Sequence, residues 1–104
     1  MLDLHYVYEH FDPETGAVFY VGMGTNGRAW DSSYQNRGDK HRARISTIIN
    51  AGHARGSWVR IVHDGIKLRG KALSLERDLF HKHKLAGQPL CNKTALHGQK
   101  QWWR

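Results

Sequence analysis

The stretch His5-Tyr6-Val7-Tyr8-Glu9-His10, followed by Asp12-Pro13-Glu14-Thr15-Gly16 and then Ala17-Val18-Phe19-Tyr20-Val21, decides the fold. The first run is aromatic and β-branched and reads as a strand. In the second, Pro presets one backbone angle and Gly permits a positive one, which makes a turn. The third run is again strand-like, so the three together predict a β-hairpin. Strand alternation puts Leu4, Tyr6 and Tyr8 on one face of the first strand, and Val18 and Tyr20 on one face of the second.

Beyond the hairpin, Gly22-Met23-Gly24-Thr25-Asn26-Gly27 reads as a break, and a short helix starts near Arg28. Residues 37–51 carry Ile45, Ile48 and Ile49 at helical spacing and end at Asn50 and Gly52. Residues 57–63 alternate and read as a third strand closed by Asp64-Gly65. Residues 71–85 form the strongest helical pattern, stopped by Gly87-Gln88-Pro89. The order strand, strand, helix, strand, helix predicts an α/β (α+β) domain with a small, mainly antiparallel sheet. There is no internal repeat and no interdomain linker.

The 104 residues fit a single domain with one modest core, and no full dinucleotide-binding fold or TIM barrel fits in them. The one cysteine, Cys91, excludes an internal disulfide framework and a Cys-based zinc finger, and fits a reducing, cytoplasmic compartment. The start, Met1-Leu2-Asp3-Leu4-His5, does not read as a signal peptide, and no apolar run has the length of a membrane span. The formal net charge of +7 points to a polyanion, nucleic acid ahead of a membrane. That charge is unevenly placed. Residues 1–27 contain four acids and no Lys or Arg, so all 16 basic residues lie from Arg28 onward, where the net charge is +11. This predicts one basic surface on a folded domain.

Four features carry chemistry. Gly22 to Gly27 matches G-x-G-x-x-G, but a hairpin strand precedes it and no βαβ unit follows, so no nucleotide cofactor is expected. The plain reading is a turn that lets backbone approach another group closely. Glu76 sits centrally on the apolar face of its helix, with Ala72 and Leu79 to one side and Leu73 and Phe80 to the other. An ionised carboxylate there is costly unless paired or metal-bound. It is either a structural partner of a core-facing Arg or His, or a catalytic carboxylate that holds a hard cation or acts as a base. Tyr8 and Tyr20 face each other across the hairpin, as core residues or as site residues. Arg28 follows the glycine loop, where it is either a solvated side chain or a phosphate contact. The eight His show no zinc-ligand spacing. The short adhesion-like and glycosylation-like matches, Arg37-Gly38-Asp39 and Asn92-Lys93-Thr94, are of a kind common by chance.

Tyr6-Val7-Tyr8, then Tyr20-Val21-Gly22, Arg28, Glu76 in a helix and Asn92 beyond it form an ordered set that resembles the GIY-YIG nuclease superfamily over about residues 5–95. Tyr6 stands where the family's first motif has Gly. The resemblance implies a three-stranded antiparallel sheet flanked by helices and a metal-dependent DNA endonuclease, with residues 96–104 as a terminal extension. It implies Tyr8 as general base or water-positioning group and Tyr20 lining the site. It also implies Arg28 on the scissile phosphate, Glu76 holding a single Mg2+ or Mn2+, Asn92 as a brace, and His41 as a further site residue. Lys40, Arg42 and Arg44 would then grip flanking phosphates. Trp102 and Trp103 would stack on bases, seal a partner or close the core. At its ordinary pKa of about 10 a phenol is a poor base, so Tyr8 needs help from Arg28, a metal-bound water, His5 or His10. With nearly all the chain used by the fold, target specificity falls to residues 29–56, the C-terminus, a partner protein or a homodimer. The expected role is a homing or phage-type endonuclease, with repair or junction processing second. RNA cleavage and a non-catalytic binding module of the same fold are the alternatives.

Overall fold

The computed structural model describes residues 4–31 and 37–92. Strand β1, His5–Phe11, runs up the centre of a three-stranded antiparallel sheet, with β2, Val18–Gly24, on one side and β3, Val59–Ile66, on the other. A 3₁₀ turn spans Arg28–Trp30, and helices α1, Asp39–Asn50, and α2, Arg69–Leu85, complete the order. The domain is the small α+β architecture expected.

The hairpin forms for local reasons. Asp12 Oδ1 accepts from the Glu14 amide at 2.8 Å, Asp12 and Ala17 pair through their backbones, and Gly16 takes a φ of +79°. The register of β1 on β2 then shifts between His10 and Phe11: Tyr20 pairs with His10 but Val18 with Phe11. Phe19 is the extra residue of this bulge. The bulge corrects simple alternation, because Val18 and Tyr20 end on opposite faces. Strand β2 also continues through Gly22 and Gly24 instead of breaking there, since Tyr8 and Tyr6 pair with them. Strand β3 likewise runs past Asp64-Gly65 to Ile66, which pairs with His5.

The central strand is buried on both sides, so the core has two halves. Val7, Val18, Val21, Met23 and Ile66 pack against Ala72, Leu79 and Phe80 of α2. Tyr6, Tyr8, Phe19, Tyr20 and Trp58 pack against Ala29 and against Ile45 and Ile48 of α1. Ile49 faces outward. Glu9 is a buried charged residue on the α2 side. It accepts from Arg60 Nε of β3 at 2.5 Å and pairs with His83 Nε2 of α2 at 2.6 Å. One buried carboxylate thus ties two strands to the helix, with both oxygens satisfied.

Helix α2 ends in a Schellman pattern: Gly87 has a φ of +78°, its amide donates to Lys84 O, and Gln88 N donates to His83 O at 3.0 Å. This turns the chain so that residues 88–92 run along the outer edge of β2. Gln88 Oε1 accepts from Val18 N at 2.9 Å, and Cys91 N donates to Phe19 O at 2.8 Å. No helix among the described residues is long and apolar enough to cross a membrane.

Candidate active site

Tyr8 and Tyr20 meet across the hairpin with ring centroids 6.2 Å apart. Their closeness depends on Gly22, the cross-strand partner of Tyr8. A Cβ at Gly22 would lie 2.6 Å from the Tyr8 hydroxyl and 3.0 Å from the Tyr20 ring, so only glycine leaves room for both phenols. Gly24 serves Arg28 in the same way, with a Cβ there reaching to 2.9 Å of the Arg28 side chain. The glycine-rich stretch is therefore where three side chains, Tyr8, Tyr20 and Arg28, come close to backbone.

Tyr6, at the position where the GIY-YIG pattern has Gly, anchors the loop before Arg28. Its hydroxyl donates to Asn26 O at 2.7 Å and accepts from Ala29 N at 3.0 Å. These two bonds bracket Arg28, and Asn26 takes the positive φ of 53° that the tight turn requires. Glu76 comes from the buried stripe of α2 with Ala72, Leu79 and Phe80, and is fully buried. Arg28 and Glu76 both lie near enough to bias the Tyr8 and Tyr20 hydroxyls electrostatically. Four side chains spread over 68 positions of sequence, on β1, β2, the 3₁₀ turn and α2, thus converge.

Burial decides the protonation state of the phenols. It pushes Tyr8 above its ordinary pKa, against the pull of the adjacent Arg37 and, more weakly, Arg28; Glu76 pushes the same way as burial. Tyr20 is raised as well, by burial first and the Tyr8 phenol second. Both are neutral hydroxyls near pH 7.

The cation at the Tyr8 hydroxyl is one that the sequence reading passed over. Arg37 Nη2 donates to it at 3.0 Å, and the guanidinium carbon lies 5.7 Å from the centres of both phenol rings. His10 does not fill that role, because both its nitrogens are engaged. The Ala29 carbonyl accepts from His10 Nε2 at 2.6 Å, so His10 Nδ1 carries the lone pair and accepts from His41 Nε2 at 2.7 Å. His41 is buried beneath Tyr20, edge-on to its ring with centroids 4.9 Å apart, and its Nδ1 has no hydrogen-bond partner among the described residues. Burial, with Arg37 adding to it, lowers His41 to about 3. It supports the site's floor as a neutral ring and is a weak base. His10 was legible from strand parity, which puts it on the face of Tyr6 and Tyr8. Nothing in the local sequence marks Arg37.

Asn92 braces the outer edge of β2. Its Oδ1 accepts from Val21 N at 3.2 Å and its Nδ2 donates to Val21 O at 2.8 Å, imitating a neighbouring strand between Tyr20 and Gly22. From there a cleft of about 510 Å³ opens, lined by Arg37, Lys40, Arg42, Leu90, Cys91 and Asn92. Arg42 pairs with Asp39, and the Arg44 guanidinium lies 5.3 Å over the Phe19 ring, next to a hollow it shares with Lys40 and Cys91. Lys40, Arg42 and Arg44 thus form a basic margin beside the brace. Trp102 and Trp103 lie outside the described residues. No group of three His, Cys, Asp or Glu side chains that could hold a metal occurs among the described residues.

No family model, curated protein or solved structure matches the chain.

Proposed function

We propose that the protein is a divalent-cation-dependent DNA endonuclease of GIY-YIG type, hydrolysing phosphodiester bonds. The observation that carries this reading is the convergence of Tyr8, Tyr20, Arg28 and Glu76 from four separate elements, with Asn92 bracing the strand between Tyr20 and Gly22. Phosphodiester hydrolysis needs an oriented water, charge on the phosphoryl oxygens and help for the leaving oxygen. Arg28 binds the phosphoryl oxygens. The neutral Tyr8 hydroxyl orients the attacking water by hydrogen bonding, and the proton that water loses as the P–O bond forms passes to a substrate phosphoryl oxygen or to solvent. Tyr20 and the neutral His41 wall the site.

The donor set fits a hard cation in one manner only. Glu76 supplies a single carboxylate and no cluster among the described residues completes a shell, so Mg2+ or Mn2+ would share Glu76 with waters and substrate phosphate. When bound there, the cation supplies charge to the leaving oxygen. Lys40, Arg42 and Arg44 hold flanking phosphates, and DNA is the partner. The complete burial of Glu76 and near-complete burial of Tyr8 favour a second reading, a nucleic-acid-binding module of the same fold without catalysis.

Nicking of supercoiled plasmid separates the two. The wild-type chain nicks with Mg2+ or Mn2+ and not in EDTA, and Glu76→Gln and Arg28→Ala each lose at least about 100-fold, the usual cost of one group that stabilises transition-state charge. Equal, metal-independent plasmid survival with wild type and Glu76→Gln leaves only the binding reading. Cleavage mapping on linear, branched and single-stranded DNA, and on RNA, then sets the substrate.

A further inference from the structure

A buried guanidinium is expensive, so its contacts show what it is there for. Arg37 is 1% exposed and, among the described residues, reaches three acceptors: Asp31 O through Nη1, and Arg28 O and the Tyr8 hydroxyl through Nη2, at 2.5 and 3.0 Å for the last two. A guanidinium has donors and no acceptor, so the bond to Tyr8 has one possible polarity: Arg37 donates and the phenol oxygen accepts. The single proton of Tyr8 is left to point at some other oxygen. The same planar group grips the main chain at Arg28, the residue assigned to the phosphate. One rigid fork therefore sets the distance between the β1 phenol and the loop that presents Arg28. A lysine ammonium, a point charge without the fork, cannot hold the three acceptors in that plane.

We infer that Arg37 is a positioning residue for the reaction: by occupying the acceptor side of the Tyr8 oxygen and tying it to the Arg28 loop, it makes Tyr8 a hydrogen-bond donor to the water or phosphoryl oxygen at the scissile bond. This rests on the nuclease reading above. The groups facing Tyr8 agree with it. Tyr20 and His10 present ring faces, His41 bonds to His10, and Arg28 and Glu76 act on Tyr8 with opposite electrostatic signs. Arg37 is the donor that the structure places on the Tyr8 hydroxyl, so it sets the direction in which the phenol's own proton points.

The test is a double-mutant cycle on the full chain, read as the single-turnover nicking rate and, separately, as DNA affinity. Arg37→Met is expected to slow nicking about 100-fold in the Tyr8 background and less than about threefold in Tyr8→Phe, because it acts through the hydroxyl, while affinity changes less than about threefold. Arg37→Lys recovers less than a tenth of the wild-type rate. Equal losses of rate in both backgrounds, or full recovery with lysine, overturn the proposal and leave the nuclease reading standing. A wild type that does not nick removes both. Should Arg37→Met fail to fold, Tyr8→Phe, which removes one oxygen, keeps the question open to a decision. In 15N-guanidinium NMR spectra of the folded chain, the slowly exchanging Nη protons of Arg37 are expected in wild type and lost or shifted in Tyr8→Phe; identical spectra overturn the bond on which the proposal stands.

Discussion

His10 and His41 share one proton between facing nitrogens, and that fixes how the site responds to acid. Burial, the neighbouring ring and Arg37 lower His10 to about 2, and burial and Arg37 lower His41 to about 3. In the unfolded chain both titrate near 6.5. Between pH 6.5 and about 3 the unfolded state therefore binds protons that the native state refuses, and stability falls as pH falls, by about 1.4 kcal/mol per pH unit per imidazole. Urea unfolding at pH 7 and pH 5 is expected to differ by up to about 4 kcal/mol from this pair, and His41→Gln is expected to remove about half of the difference. An unchanged difference in His41→Gln would show that the pair does not govern the acid limb. At this scale the sequence was a partial guide. Tyr8, Tyr20, Arg28 and Glu76 stand out because each breaks a local rule: a central carboxylate on an apolar stripe, an Arg after glycines, facing phenols. Arg37 breaks none. It lies in an ordinary basic run, and only the tertiary fold turns it inward, onto a hydroxyl 29 positions earlier.

The segment after α2 behaves as a substitute strand, and Asn92 is its decisive residue. Removing the Asn92 amide exposes Val21 N–H and C=O at the edge of β2, at a cost of about 1–2 kcal/mol. In Asn92→Ala, hydrogen exchange at the Val21 amide is expected to speed up about tenfold or more, while amides of β1 change only with global stability. Unaltered Val21 exchange would mean that the segment lies on β2 without holding it. Element existence was readable from periodicity and turn chemistry throughout: all three strands and both long helices lie where the pattern puts them. Ends and faces were less so. The bulge at Phe19 reverses the parity of Val18, and β2 runs on through Gly22 and Gly24, which pair with Tyr8 and Tyr6, Gly22 leaving room for the Tyr8 phenol. Both facts belong to the neighbouring strand, and a reading along one strand has no access to them.

Across the whole molecule, charge follows chain order. The net −4 of residues 1–27 builds the hairpin with both phenols, and the net +11 that follows includes the margin of Lys40, Arg42 and Arg44 beside the Asn92 brace. If that margin holds phosphates, DNA affinity depends steeply on salt, because each neutralised phosphate releases counterions. The double variant Lys40→Gln, Arg44→Gln is expected to make the slope of log affinity against log salt shallower by about 2, at close to 0.9 per phosphate contact. A slope that stays the same in fluorescence-anisotropy titrations would move the DNA path elsewhere.

The strapped edge of β2 has a consequence for self-association. With residues 88–92 laid along β2, the outer edge of β3 is the one strand edge without a strand or strap beside it among the described residues. Two copies joined antiparallel through β3 would form one continuous sheet with a two-fold axis at its middle and a strapped β2 at each end. Growth through β3 ends at the pair, because that edge is then consumed, so the topology admits a closed dimer.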